Sequence, residues 1–397
     1  MIDRKVWAAR LANAALAVLS TAIAYFAFGI VLMKYGPYFL ATSIFYSPIE
    51  AAIWAQASAP DPDRQDYVAL LGDSNARGVG DWRAERRRIT DPYHSADVIR
   101  DLTGRNILSF GILGVGSSHG LVGGPARALS SDRCLVFSAP RPPQAAIYYF
   151  YEGNDFDNNI QFVAGDLGLD PRRSADEIKQ SALRYYNDDM SRYSFWTCLE
   201  AVEVTARSVL AFALGLVFPE DNQTPAARPN RLIVGGRTIE VPLRLQSPSL
   251  ELDEHGLEVG AVILDASLQW FRSANPNLPT LLVYVPSVLT VYDLADASVS
   301  IQTFHRGEPV QPAARVTSRS DDICRTVAVL AAKHAMTFFD ARTGMREAAR
   351  SQAQPLHGPR DWSHPNRVGY TTLGTLVAGA MNGDAGHATC AKLSVDR

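Results

Sequence analysis

Apolar residues follow two different patterns along this chain. Residues 11–33 form one uncharged apolar run, whereas beyond Pro60 short apolar runs alternate with longer, helix-like stretches. At about 1.5 Å per residue, the first run is long enough to cross a hydrocarbon core of about 30 Å. The pattern therefore predicts one N-terminal transmembrane helix, with contact to the membrane through residues 11–33, followed by a folded domain.

The charges flanking this run predict its orientation. Three basic residues precede it, and one follows closely: Arg4, Lys5, Arg10 and Lys34. This excess predicts a single-pass inner-membrane protein with a cytoplasmic N-terminus and a periplasmic domain. A cleaved signal peptide and a buried core helix are the alternatives, but the nearest small-residue cleavage site, at residues 57–59, lies far downstream.

The residues after the run complicate this topology. The segment 35–57 is aromatic and apolar, and a second crossing there would return the domain to the cytoplasm. Two prolines and a carboxylate within it (Pro37, Pro48 and Glu50) favour a segment at the membrane interface instead. We therefore divide the chain into an anchor at 1–34, an interfacial segment and linker at 35–63, and a domain at 64–397.

Short strand-like runs in the domain are β-branched or aromatic, and each ends at a turn residue. They are Tyr67–Leu71, Asn106–Phe110, Ala145–Phe150, Thr280–Val285 and Met336–Phe339. Such runs, separated by longer segments, predict a parallel sheet covered on both faces. The wide gap after the third run predicts an insertion at about 155–275.

The insertion has its own patterns. They predict a helix at Phe195–Phe218 and a hairpin around Gly235-Gly236. Residues 209–218 are strongly apolar but cover only half a membrane span, so we interpret them as core or as a membrane-facing patch.

Composition narrows the function classes. The 397 residues carry 38 Lys and Arg against 41 Asp and Glu, and 47% are hydrophobic, which is typical of a folded protein and gives no basis for nucleic acid as a partner. The four cysteines contain no CxxC pair, which argues against a zinc ribbon or a thioredoxin-type site. An exported domain would allow up to two disulfides, in three possible connectivities, among Cys134, Cys198, Cys324 and Cys390.

Candidate catalytic residues lie near the two ends of the domain. Ser74 directly follows the first strand in a turn that begins at Gly72, and open α/β sheets bind ligands at such carboxyl ends. Asp361 precedes His364 by three residues in a loop rich in Pro and Gly, a spacing that lets the carboxylate fix the imidazole tautomer. A lone serine in this position is more often a helix cap than a nucleophile.

A serine nucleophile also needs donors for the oxyanion that develops in the transition state. The loop Gly111–Gly116 after the second strand offers backbone N–H groups, and Asn154 after the third strand offers a side-chain amide. The alternatives are a dinucleotide-binding turn, although Gly114–Gly120 is one residue too long for that motif, and an Asx turn at Asn154-Asp155.

These elements in this order resemble the SGNH (GDSL-type) hydrolase family, over Tyr67 to about Leu376. The resemblance implies a flavodoxin-like three-layer α/β/α fold without cofactor or metal. It further implies Ser74 as nucleophile, His364 as general base and acid, and Asp361 as its partner. The oxyanion donors would be the backbone N–H groups of Ser74 and Gly114 and the Asn154 side chain. The chain departs from the family at Asn75, where Leu is frequent, and at Ser109, where Asn is frequent, which leaves Gly111 as an alternative donor.

The expected function is that of a membrane-anchored serine esterase. Its substrate would be an acylated carbohydrate, with O-acyl, chiefly acetyl, groups on an envelope or exported polysaccharide. An O-acyltransferase or a lipid esterase with the same site is the alternative, as is a non-catalytic envelope subunit that binds glycans and retains the fold.

Overall fold

The structure of the protein is a computed structural model. It describes residues 4–39, 56, 58, 66–81, 88, 90–123, 141–192, 202–203, 206–207, 209–210, 224–305, 309–383, 390 and 393.

A parallel five-stranded sheet forms the centre of the domain. Its strands are β1 (Val68–Gly72), β2 (Ile107–Ser109), β3 (Ala145–Tyr151), β6 (Thr280–Val285) and β10 (Thr337–Asp340). The spatial order is β10-β6-β3-β1-β2, and every neighbouring pair is parallel. This is the flavodoxin-like order, so the predicted fold class is confirmed, and each predicted strand lies within one residue of its predicted start.

Two smaller sheets flank the central one. The hairpin of β4 (Pro225–Val234) and β5 (Arg237–Leu243) turns at the predicted Gly235-Gly236 pair and is joined by β7 (Asp293–Leu294). The third sheet pairs β8 (Ser298–Ser300) with β9 (Val310–Pro312).

Helices precede and cover the sheet. They are α1 (Arg4–Phe39), α2 (Ser74–Arg77), α3 (Ser95–Thr103), α4 (Asp155–Gly165), α5 (Ala175–Arg192), α6 (Glu254–Ala274), α7 (Val288–Val291), α8 (Ala314–Lys333), α9 (Arg342–Ser351), α10 (Arg367–Asn382) and a π-helix at Ser118–Gly123.

The strands are apolar throughout because both faces of the sheet are buried. On one face, side chains of β1 and β3 pack against α3, α9, α10 and the β4–β5 hairpin. On the other face they pack against α6, α8 and the π-helix. This two-sided burial explains why the strand sequences read as continuous apolar runs instead of alternating patterns.

Helix α1 contains the predicted membrane segment. Residues Arg10–Leu32 have a mean hydropathy of 2.2, and this stretch is long and apolar enough to cross a membrane. Its large apolar side chains, such as Leu16, Val18 and Ile23, are exposed, unlike those of a core helix. The helix is therefore established, while its insertion into a membrane remains a prediction.

Two features fix the edges of the domain. Cys324 and Cys390 form a disulfide, which selects one pairing from the predicted possibilities. Gln56 exchanges two hydrogen bonds with the backbone of Ser109, and Ser58 O accepts one from Ile107 N, so this segment covers the open edge of β2. Cys134, Cys198 and most of the predicted helix Phe195–Phe218 lie outside the described residues; positions 202–203, 206–207 and 209–210 of it are helical.

Candidate active site

The turn after β1 holds Ser74 at the carboxyl edge of the sheet. Gly72 has a φ of +138°, and a Cβ there would come within 2.7 Å of Tyr149 O, so only glycine fits this turn. Asp73 then caps α2 by accepting a hydrogen bond from Asn75 N at 2.8 Å. Ser74 is thereby the first residue of a helix, with its hydroxyl free to point away from the helix axis.

Ser74, His364 and Asp361 form one hydrogen-bonded row. Ser74 Oγ lies 2.8 Å from His364 Nε2, and His364 Nδ1 lies 2.8 Å from Asp361 Oδ2. The other oxygen, Asp361 Oδ1, accepts hydrogen bonds from Ser363 N and His364 N. The structure thus brings together the three residues singled out in the sequence, although Ser74 and His364 are 290 positions apart.

The charge state of Asp361 fixes the tautomer of His364. Burial opposes ionisation of Asp361, but the charge and hydrogen bond of His364 outweigh it and hold the pKa of the carboxyl below its ordinary value. An ionised carboxylate only accepts hydrogen bonds, so His364 Nδ1 carries a proton. In the neutral imidazole, Nε2 then presents its lone pair to the Ser74 hydroxyl.

The loop that carries Asp361 and His364 is fixed by the segment after α2. Asp81 Oδ1 accepts hydrogen bonds from Asp361 N at 2.7 Å and Arg360 N at 3.1 Å. Close by, Tyr370 OH donates to Val79 O. The chain segment that follows the serine therefore also positions the histidine loop. Sequence analysis missed Asp81, since no local spacing links it to a loop so distant in the chain.

Tyr292 and His357 fix the start of the same loop by hydrogen bonds. Tyr292 OH accepts hydrogen bonds from Leu356 N and His357 N, so its own proton is directed to His357 Nδ1 at 3.0 Å. Burial lowers the pKa of His357 to about 3. His357 is thus a neutral histidine with a structural role.

The loops that follow β1, β2 and β3 carry the three candidate oxyanion donors. They are neighbours because β1 lies between β2 and β3 in the sheet. The backbone N–H groups of Ser74 and Gly114 donate to no described residue. Gly111 differs: its N–H donates to Ser109 Oγ, and a Cβ there would lie 2.2 Å from Arg77 N. Of the two glycines, Gly114 is therefore the one with an available donor.

Asn154 lies at the start of α4 with 6% of its surface exposed. Its side chain does not cap the helix, and within the described part of the chain its amide makes no hydrogen bond. The buried atom without a partner is the acceptor Oδ1, whereas Nδ2 is the donor that this side chain could offer to a ligand. The Asx turn considered for the sequence is absent at Asn154, although Asp155 Oδ2 accepts a hydrogen bond from Tyr151 N.

Glu152 anchors the loop that presents Asn154. Its buried carboxylate accepts hydrogen bonds from Tyr284 OH, Ser320 Oγ and both the N and Oγ of Ser287. These partners come from β6, the turn after it and α8, so the loop after β3 is tied to neighbouring elements. Sequence analysis assigned Glu152 no role.

A buried carboxylate lies beside the serine. Burial raises the pKa of Asp73, whose Oδ2 is 3.3 Å from Ser74 Oγ, while the one hydroxyl proton of Ser74 is directed to the closer His364 Nε2. Burial and the nearby charge of Asp73 raise the pKa of Asp155 well above its ordinary value. Since two charged carboxylates this deep would repel one another, the pair favours holding at least one proton.

The predicted insertion contributes side chains beside the site. Gln246 Oε1 accepts a hydrogen bond from Tyr151 OH, which also lies 3.4 Å from Ser363 O in the histidine loop. Ser249 Oγ donates to Asp157 Oδ2, and burial raises the pKa of Asp157 to about 7. Gln246 is therefore linked through Tyr151 to the loop that carries His364.

One group of potential metal ligands occurs among the described residues, and it lies away from this row. It consists of Cys324, Asp340 and Cys390. Both sulfurs are committed to the disulfide, and Asp340 is bonded to Arg342, so the donor set does not fit a metal ion.

No family model matches the chain, and no curated protein matches it. Among solved structures, the chain is similar to an extracellular lipase from Streptomyces rimosus, with 15% identity, a TM-score of 0.39 and coverage of 81% of this chain and 99% of that one. The fold assignment therefore stands on the strand order observed in this chain.

The buried neutral state of His357 predicts a pH-dependent stability. An unfolded histidine binds a proton below about pH 6.5, whereas folded His357 does so only near 3. Its contribution is therefore present above about pH 6.5 and is lost as the pH falls, by up to about 1.36 kcal/mol per pH unit. Urea unfolding should be measured at several pH values. The free energy of unfolding of the wild type should fall more steeply with acidification than that of His357→Gln. Parallel pH profiles would contradict this assignment.

Proposed function

We propose that this protein is a serine-dependent carboxylic ester hydrolase with Ser74 as nucleophile, His364 as general base and acid, and Asp361 as the residue that orients His364. The observation that carries the proposal is the row of two 2.8 Å hydrogen bonds that joins these side chains. Nucleophile, base and orienting carboxylate in this relation are what serine-mediated acyl transfer requires.

Acylation begins with Ser74. Its Oγ attacks the ester carbonyl while His364 Nε2 removes the hydroxyl proton, and Asp361 stabilises the imidazolium that results. The tetrahedral intermediate collapses as His364 passes that proton to the departing alcohol. Water, deprotonated in the same way, then attacks the acyl-serine ester and releases the acid, which returns Ser74 and His364 to their starting states.

The negative oxygen of the tetrahedral intermediate needs donors that are not already engaged. Ser74 N, Gly114 N and Asn154 Nδ2 are proposed for this role, because none of them donates a hydrogen bond to a described residue. A donor that is held in place before the reaction stabilises the developing charge without further reorganisation. Glu152 contributes by fixing the loop from which Asn154 projects.

The proposed substrate is an O-acyl ester, chiefly acetyl, on an envelope or exported polysaccharide. The supporting observations are the apolar helix α1 and the basic residues before it, which favour a domain held on the outer side of the inner membrane. Short acyl groups on polymers at that surface would be accessible to such a domain. Transfer of the acyl group to a sugar hydroxyl would use the same side chains, with the sugar replacing water.

Purified full-length protein should hydrolyse an aryl acetate and release acetate from acetylated polysaccharide, but release no fatty acid from phospholipid vesicles. Ser74→Ala should lose both activities, because the variant lacks the hydroxyl oxygen that attacks the ester carbonyl. Released acid is the quantity to measure. Fatty acid release that depends on Ser74 would replace the carbohydrate substrate with a lipid while leaving the hydrolase proposal intact.

The control for this experiment is Ser351→Ala, since Ser351 is exposed on α9 and, among the described residues, hydrogen-bonds only to its own helix. It should retain full activity, and Ser74→Ala should unfold at the wild-type temperature. Hydrolysis by Ser74→Ala at the wild-type rate would refute the proposed nucleophile.

Replacing the proposed side-chain oxyanion donor should affect turnover more than binding. Asn154→Ala should lower kcat by about 10²–10³ with little change in KM, because the donor acts on charge that exists only in the transition state. Asn187→Ala is the matched control, since Asn187 lies on α5 and accepts a hydrogen bond from Trp270 Nε1. An unchanged kcat for Asn154→Ala would exclude Asn154 from the oxyanion site.

A further inference from the structure

The anchor helix contacts the insertion at one small residue. A Cβ on Gly29 would lie 2.7 Å from Val202 Cγ1, 2.8 Å from Val202 O and 3.2 Å from Ala206 Cβ. One turn earlier, Tyr25 OH donates a hydrogen bond to Glu203 O at 3.4 Å. The backbone of α1 therefore lies directly against Val202 and Ala206, and the small residue at position 29 permits this close approach.

Burial marks this contact as a packed interface. Gly29 is the one buried residue among those of α1 whose exposure is described. On the other side of the contact, Val202 is 1% exposed and Ala206 is 0% exposed. Close packing of small residues is the usual basis of association between helices in membranes.

The contact lies within the predicted span, near the end that leads into the domain. Gly29 is three residues before Leu32, the last residue of the apolar stretch, which corresponds to about 4–5 Å along the helix axis. Glu203 and Arg207 form an exposed ion pair one turn apart, at 3.8 Å. Leu210 is exposed, and the sequence continues without charge to Phe218.

This distribution of side chains fits the boundary between headgroups and acyl chains. Charged side chains at that depth can reach the headgroups, while apolar neighbours enter the acyl region. An exposed leucine followed by an uncharged apolar run would be unfavourable in water alone.

We propose that the described residues at 202–203, 206–207 and 209–210 belong to a second membrane-contacting element, docked on α1 at Gly29, whose outer surface lies in the bilayer. The catalytic domain is then attached to the membrane at two places. One is the polypeptide that leads from α1 to Gln56 and the edge of β2, and the other is the insertion. Two attachments restrict the orientation of the domain relative to the bilayer, which a single linker would not do.

A disulfide cross-link in native membranes tests the docking. The test uses the double variant Gly29→Cys with Ala206→Cys. The Cβ atoms at these two positions are 3.2 Å apart, close to the separation of about 3.5–4.5 Å found in disulfides. A protease site inserted at residues 60–65 separates the anchor, which contains no native cysteine, from the domain. After oxidation and cleavage of the full-length chain, the anchor fragment should remain attached on a non-reducing gel and separate on a reducing one.

Ala27→Cys with Ala206→Cys is the matched control. Ala27 is exposed and lies about 200° around the helix from Gly29, so its anchor fragment should be released. Release of the fragment from the Gly29 pair, or equal retention in both pairs, would overturn the proposed docking.

Accessibility tests the contact with lipid. A water-soluble maleimide should label Leu210→Cys slowly in intact membranes and rapidly after solubilisation in SDS, with wild-type labelling as the background. Asn187→Cys, on the exposed part of α5, should react rapidly in both conditions. Equally fast labelling of Leu210→Cys in membranes would show that the element docks on α1 but faces water. Neither readout requires enzymatic activity, so both are independent of the proposed function.

Discussion

The hydrogen bond between His364 Nε2 and Ser74 Oγ is the interaction on which the proposed chemistry depends. It joins the end of the first strand to a loop near the C-terminus, at 2.8 Å. Local structure cannot bring Ser74 and His364 together, because they are 290 positions apart in the chain. The fold must therefore hold each residue in place separately. Gly72 and Asp73 fix the serine, and Asp81 fixes the loop by binding two of its backbone N–H groups.

Polar groups below the site are buried but largely satisfied. Arg342, with no exposed surface, donates hydrogen bonds to Asp340, Asp321 and Ser320. Ser320 in turn donates to Glu152, which is tied to the loop that bears Asn154. Removing one member of such a buried network leaves an uncompensated charge, which typically costs about 3–5 kcal/mol. Through Glu152, the network links the loop that bears Asn154 to β6, to the turn after β6 and to α8, and these three elements together fix the position of Asn154. Asn154 Oδ1 itself has no hydrogen-bond partner among the described residues.

Local patterns account for what the sequence could predict. The five strands could be predicted from the sequence because each is buried on both faces and therefore reads as a continuous apolar run. Asp361 and His364 could be predicted as a pair because they lie within four residues of each other. The role of Asp81 could not be predicted from the sequence, since its hydrogen-bond partners are remote in the chain and are brought to it only by folding. The choice between Gly111 and Gly114 depended on a hydrogen bond from Gly111 N to Ser109 Oγ, a contact without a sequence signature. The same holds for the contact of Gly29 with Val202.

The most direct test of the central claim is to locate the nucleophile chemically. Purified full-length protein is treated with a fluorophosphonate, which reacts with activated serines, and the modified peptide is identified by mass spectrometry. A single adduct on Ser74, strongly reduced in His364→Ala, is the predicted result, because His364 generates the nucleophile. An adduct on a different serine, or undiminished modification of Ser74 in His364→Ala, would contradict the account.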